Sequence, residues 1–107
     1  MEIEKTLKER KSNYGEFREN ADVAQLLKNV MKNGSSWCQT NNIQREALDL
    51  IALKISRIVT GNPSYEDNWH DIAGYAKLVE NNINEIRNKI RKVANYYEQE
   101  ATTESTS

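Results

Sequence analysis

Six charged side chains in one stretch of the sequence are of the types that bind a metal ion and a phosphate group. They are the acids Glu46, Asp49, Asp67 and Asp71 and the bases Lys54 and Arg57. Glu46 and Asp49 are three positions apart, and Asp67 and Asp71 are four positions apart. On a helix, each of these two acidic pairs therefore shares one face. Arg57 follows Glu46 by eleven positions and returns to nearly the same helical angle, with Lys54 on the flank.

Packed antiparallel, two helices carrying these pairs would form an oxygen-rich site suited to Mg²⁺, with Mn²⁺ as an alternative. Such an ion bridges phosphate oxygens and lowers the pKa of a bound water, as hydrolysis of a phosphoanhydride requires. The two basic side chains would neutralise a polyphosphate. The competing interpretation is that all six are ordinary surface charges, whose pairs contribute only a few tenths of a kcal/mol each.

The apolar periodicity predicts that these residues lie on helices. A short first helix is expected over residues 2–11, and a second over 16–32, where apolar side chains from Phe17 onward recur at three-and-four spacing. Asn33-Gly34-Ser35-Ser36 ends the second helix. A third helix follows candidate N-caps in residues 39–42 and must end by Thr60, because the next residues are Gly, Asn and Pro.

The fourth helix begins near Ser64 and carries the clearest pattern. Its apolar residues follow a three-four alternation typical of a supercoiling seam. They are Trp69, Ile72, Ala76, Val79, Ile83, Ile86, Ile90, Val93 and Tyr97. A helix about 45 Å long outreaches its neighbours, so we expect it to pack in a homo-oligomer, a dimer or a tetramer. Residues 101–107 have no apolar side chain larger than that of Ala101 and are predicted to be a disordered tail.

These elements make residues 1–100 a single all-α domain, a four-helix bundle with a long C-terminal helix. The formal net charge of −1 argues against nucleic-acid binding. No apolar run is long enough to span a membrane, and residues 1–5 lack the apolar core of a signal peptide. With a single cysteine, Cys38, these features lead us to expect a cytoplasmic protein.

Three segments carry a resemblance to a known superfamily. They are Arg10 with Tyr14-Gly15-Glu16-Phe17, Lys54-Ile55-Ser56-Arg57-Ile58 with Gly61, and Asp67-Asn68-Trp69-His70-Asp71-Ile72-Ala73-Gly74-Tyr75. Together with the two acidic pairs, they resemble the all-α nucleoside triphosphate pyrophosphohydrolases, the superfamily of MazG and the dimeric dUTPases. The similarity is greatest to small phage and prophage MazG-like domains and covers roughly residues 9 to 80.

The resemblance implies Mg²⁺-dependent hydrolysis of a ribo- or deoxyribonucleoside triphosphate to the monophosphate and pyrophosphate. The metal ligands implied are Glu46, Asp49, Asp67 and Asp71, the catalytic residues are Glu46, Asp49 and Asp71, and the substrate contacts are Lys54, Arg57, Tyr14 and Tyr75. Here the first pair ends in Asp and the second is spaced i,i+4, which leaves Asp67 or Glu66 as the fourth ligand.

The altered acidic spacing favours an alternative. In it the chain is a catalytically inactive, phage-type helical protein that binds a host protein or sequesters a nucleotide. A third hypothesis is a coiled-coil assembly module, for which the charged cluster is incidental.

Overall fold

Residues 2–105, which are described by a computed structural model, form helices joined by short turns. The helices are α1 (Glu2–Tyr14), α2 (Phe17–Lys32), a short 3₁₀ helix (Trp37–Gln39), α3 (Asn42–Thr60) and α4 (Glu66–Ser105). The predicted all-α class with four α-helices is confirmed, and no strand occurs in this part of the chain. Within the described range, no helix has the length and apolar character needed to cross a membrane.

Helix α3 is the central element, because it packs against α1, α2 and α4. Its start is set by a capping box: the Asn41 side chain accepts from the Gln44 N–H, and the Gln44 side chain accepts from the Asn41 N–H. This confirms the predicted N-cap region. The helix ends at Thr60, as the Gly61-Asn62-Pro63 sequence predicts.

The turn between α1 and α2 rests directly on the C-terminal end of α3. Gly15 has a φ of 83°, and a Cβ at this position would overlap the Thr60 carbonyl. A Cβ on Gly61 would lie 2.5 Å from the Asn13 carbonyl oxygen, to which the Asn62 N–H donates at 3.0 Å. Two glycines therefore allow backbone to pack on backbone, and we refer to this contact as the glycine joint.

The apolar core of the single chain is small. The buried hydrophobic residues are Ala24, Ala47, Ala52 and Ile58. Phe17, which we predicted to start the apolar face of α2, is 86% exposed, while Asn20 is buried. The prediction was wrong there because α2 turns its Asn20 and Ala24 side toward α3, and this leaves Phe17 on the outer side.

Helix α4 is longer than expected. Its 40 residues span about 60 Å at 1.5 Å per residue, and it continues through Ser105 where a disordered tail from residue 101 was predicted. Extending an existing helix adds a hydrogen bond for each residue that is fixed, so a polar sequence can continue it. Residues 106 and 107 lie outside the described range. At its start Trp69, predicted to begin the packed seam, is 56% exposed and donates its indole N–H to the Pro63 carbonyl.

The glycine joint leads to a matched pair of substitutions. Gly15→Ala should lower the free energy of unfolding by about 1 to 3 kcal/mol, because Ala must adopt a positive φ and meets the Thr60 carbonyl. Gly74→Ala is the control: it lies inside α4, and an added methyl group there would have no neighbouring atom within 4 Å, so it should raise stability by about 0.5 to 1 kcal/mol. Urea unfolding measures the free energy of unfolding of both variants. Equal effects of the two substitutions would contradict the close backbone contact at the glycine joint.

Candidate functional site

Two guanidinium groups meet at the Tyr14 side chain. The Arg57 Cζ atom lies 4.5 Å from the centre of the Tyr14 ring, and the Arg10 Cζ atom lies 5.7 Å from it. Both distances are within the range of cation–π attraction. Tyr14 is the last residue of α1 and Arg57 lies in the last turn of α3, so the glycine joint brings them together.

Neither arginine is neutralised by a carboxylate of the described residues. Between the side chains of residues 2–101, the structure shows ion pairs that join Lys11 to Glu16, Lys54 to Asp71 and Lys77 to Glu80. Arg57 is only partly exposed. Charged groups that lose part of their hydration are usually paired, so a half-buried guanidinium without a counter-ion is a candidate anion site.

The two arginines line a groove of about 520 Å³ between α1 and α2. The lining includes three basic residues, Arg10, Lys11 and Arg57, although Lys11 is already bonded to Glu16 at 2.6 Å. It also includes the apolar residues Ile3, Leu7 and Phe17. This combination suits a ligand that carries both an anionic group and an apolar or aromatic group.

A buried polar network holds the Tyr14 main chain below the groove. The Asn20 amide donates to the Tyr14 carbonyl at 3.2 Å, and the Ser56 hydroxyl lies 2.5 Å from Asn20 Oδ1. The Thr60 hydroxyl is 3.1 Å from the same carbonyl. Neither Asn20 nor Ser56 was given a role from the sequence. The available signal was a polar residue one turn before Ala24 on the side of α2 that faces α3.

An ion pair joins α3 to α4 close to the groove. Lys54 Nζ lies 2.8 Å from Asp71 Oδ2, and the side chains are 12% and 40% exposed. Hydrogen bonding to the Lys54 ammonium holds the pKa of Asp71 below its ordinary value, and the positive charge of Arg57 acts in the same direction. Two predicted site residues, Lys54 and Asp71, are therefore in direct contact, and Asp71 is an ionised carboxylate at neutral pH.

The other predicted acids do not join this pair. Glu46 is exposed and Asp49 is half-buried, both on α3, while Asp67 accepts a hydrogen bond from the Tyr65 hydroxyl at 3.0 Å. The bond to Asp67 and a further one with Tyr14 raise the pKa of Tyr65 to about 12.

Among residues 2–101, whose side chains the structure describes, no group of three or more Asp, Glu, His or Cys side chains is placed to hold a metal ion. As arranged in the single chain, the four acids do not fit the oxygen-ligand set that Mg²⁺ requires. The magnesium site stays a prediction.

Two further residues of α4, Tyr75 and Asn68, lie about one turn from Asp71. Tyr75, predicted to line a base pocket with Tyr14, lies one turn after Asp71 and is not among the residues that line the groove. Asn68, one turn before Asp71, is fully buried, and its amide atoms have no hydrogen-bond partner among the described residues. A buried amide without a hydrogen-bond partner costs about 1 to 3 kcal/mol. The burial of Asn68 was not predicted from the sequence.

Comparison with known proteins identifies the family of this chain. The model of a domain of unknown function (DUF6378) matches residues 2–83. The chain belongs to the DUF6378 family. The match includes every residue of the groove together with Lys54 and Asp71, and it ends before the distal half of α4. No curated protein and no solved structure shows significant similarity to this DUF6378 domain. The MazG resemblance stays a prediction.

The Lys54–Asp71 pair should be visible in the pH dependence of stability. Because the folded pKa of Asp71 is depressed, the pair contributes fully above about pH 4, near the unfolded value, and its contribution is lost as the pH falls through the folded pKa. In Lys54→Met, carboxyl ¹³C NMR titration should show the Asp71 pKa raised.

Lys77→Met is the control for that titration, since it removes the equivalent partner of Glu80 on the exposed side of α4. It should raise the pKa of Glu80 and leave that of Asp71 unchanged. An Asp71 pKa that does not respond to Lys54→Met would contradict the assigned ion pair.

Proposed function

We propose that this DUF6378 domain binds the phosphate groups of a nucleotide in the groove between α1 and α2. The observation that carries the proposal is the placement of Arg10 and Arg57 on the Tyr14 ring with no carboxylate partner in the described chain. A guanidinium presents a planar set of N–H donors that matches a phosphate, often through two parallel hydrogen bonds. The bound anion would supply the missing counter-charge.

The remaining walls of the groove indicate why the ligand is a nucleotide and not a bare phosphate ion. Ile3, Leu7 and Phe17 offer an apolar surface beside the arginines, and Phe17 is almost fully exposed. A nucleobase can stack on an exposed aromatic ring, while its phosphates extend toward the guanidinium groups. The chain as a whole carries a formal charge of −1, so the attraction is local to the groove.

The second candidate function is Mg²⁺-dependent cleavage of the same nucleotide to a monophosphate and pyrophosphate, with Glu46, Asp49, Asp67 and Asp71 as metal ligands. The observation that favours it is Asp71, an ionised carboxylate near enough to Arg57 for their charges to interact. The arrangement of the other acids in the single chain does not support it. We therefore rank sequestration of a nucleotide above turnover, and binding of a host protein below both.

Nucleotide binding should raise the melting temperature in the presence of EDTA. A ligand at 100 times its Kd stabilises by about 2.7 kcal/mol, which for a domain of this size corresponds to an increase of roughly 10 °C or more. Arg57→Gln should weaken binding about 10- to 100-fold, the cost of one charge-assisted contact.

Arg91→Gln is the matched control for the binding experiment, because it removes an exposed arginine on the distal part of α4. It should bind as the unmodified protein does. Arg10→Gln provides a second groove variant with an exposed side chain, so its loss of binding is not a folding defect. Unchanged affinity in both groove variants would rule out this site.

Turnover is tested separately by incubating the protein with ribo- and deoxyribonucleoside triphosphates plus Mg²⁺ and measuring pyrophosphate. Sequestration predicts nucleotide binding without pyrophosphate release. Release that disappears in Asp71→Asn but persists in Glu80→Gln, a matched change at an exposed carboxylate, would establish the hydrolase instead. Absence of both binding and release would leave the host-protein alternative.

A further inference from the structure

The distal half of α4 extends beyond the rest of the chain. Counting back along the antiparallel pair from the Lys54–Asp71 contact places Asn42, the first residue of α3, about level with Ile83. The following residues to Ser105 continue for roughly 30 Å, and every side chain from residue 83 through 101 is exposed. The family match also ends at residue 83.

This segment does not have the composition of a helix that is stable alone. Asparagine, a weak helix former, occupies positions 84, 88 and 95 of it. In proteins most helical stability comes from packing of an apolar face against a partner and not from intrinsic propensity. The segment does carry an apolar seam with coiled-coil spacing, which consists of Ile83, Ile86, Ile90, Val93 and Tyr97.

We propose that the distal half of α4 pairs with the same segment of a second copy in an antiparallel dimer. A second copy of the chain is the partner proposed because the exposed apolar area of the segment is close to that of a standard protein–protein interface. The five seam residues and Tyr96 are about half exposed, which amounts to on the order of 600 Å² per copy, close to the roughly 800 Å² that each partner contributes to a standard interface. The aliphatic stems of Arg87 and Lys89 flank this surface and add to it.

The position of α3 sets the antiparallel direction. Val79 lines a groove together with Ala47, Leu48 and Ile51 of α3. Ile86 and Val93 follow Val79 by seven and fourteen residues and so lie on the same side of α4. The side of α4 that α3 covers in the proximal half is thus the side that carries the seam in the distal half. A parallel partner helix would run back into the space of α3 over its whole proximal half, whereas an antiparallel one reaches the start of α3 only with its last few residues.

A dimer axis between residues 91 and 92 gives the best register. It places Ile90 opposite Val93 of the second copy and Ile86 opposite Tyr97 of the second copy. Arg87 and Lys89 then lie beside Ala94 and Tyr96 of the other helix.

The oligomeric state is tested by sedimentation equilibrium of the full chain at micromolar concentration. The unmodified protein should have twice the chain mass, and Ile90→Asp should reduce it to the chain mass, because an unpaired charge cannot enter the seam. Asn88→Asp adds the same charge on the outer side of the same helix turn and should remain a dimer. A monomeric unmodified protein, or a dimeric Ile90→Asp, would overturn the proposal.

Disulfide trapping in a Cys38→Ser background tests the direction. A mixture of Ile86→Cys and Tyr97→Cys chains should form a cross-linked heterodimer on oxidation, since these positions face each other across the antiparallel pair. Neither variant alone should cross-link, because its two cysteines would be about 16 Å apart, beyond disulfide reach. Cross-linking of either variant with itself, or no cross-link in the mixture, would overturn the antiparallel arrangement. Sedimentation of each variant under reducing conditions confirms that it still dimerises.

Discussion

The contact between the α1–α2 turn and the end of α3 determines the geometry of the whole candidate site. At this glycine joint two backbone segments approach so closely that a Cβ on Gly15 or Gly61 would overlap the opposing main chain. The Asn62 N–H and the Thr60 hydroxyl bond to the Asn13 and Tyr14 carbonyls across the contact. Because Tyr14 immediately precedes Gly15, its ring is held against the last turn of α3, where Arg57 lies.

The basic residues near the joint divide into two kinds. Lys54 is largely buried and satisfied by Asp71, so it fastens α3 to α4. Arg57, one turn later on α3, contacts the Tyr14 ring and forms no ion pair with a described carboxylate. A cation–π contact offsets part of the lost hydration of a guanidinium but leaves its N–H donors available. Lys54 is therefore a structural cation, and Arg57 is one suited to a ligand, although the two are only three positions apart in the sequence.

Much of the fold could be predicted from the sequence because the signals are local. The Asn-rich cap before α3, the stop at Gly61-Asn62-Pro63 and the apolar periodicity of α4 each depend on a few neighbouring residues. The helix faces of the acidic residues were also predictable. The positions of these acids along the paired helices could not be predicted, because the turn between α3 and α4 decides which residues face each other. It puts Lys54 opposite Asp71, and Asp49 and Glu46 then lie about 7 and 12 Å further along α3.

The polar network below the groove could not be derived in this way. Asn20 and Ser56 are 36 positions apart, and only the packing of α2 on α3 brings their side chains together. For the same reason the groove itself was not predicted, since it combines α1, α2 and the end of α3. The resemblance implied Tyr14 and Arg57 as substrate contacts, and the structure places the Arg57 and Arg10 guanidinium groups at the Tyr14 ring.

Anion recognition by guanidinium groups without a metal ion is the central property proposed for this domain. An amide NMR titration with a nucleoside triphosphate in EDTA tests it most directly. Saturable shifts should concentrate at Gly15, Asn20 and Arg57, around the groove. Shifts that require Mg²⁺ and centre on Glu46 and Asp49, or no shifts at millimolar nucleotide, would contradict it.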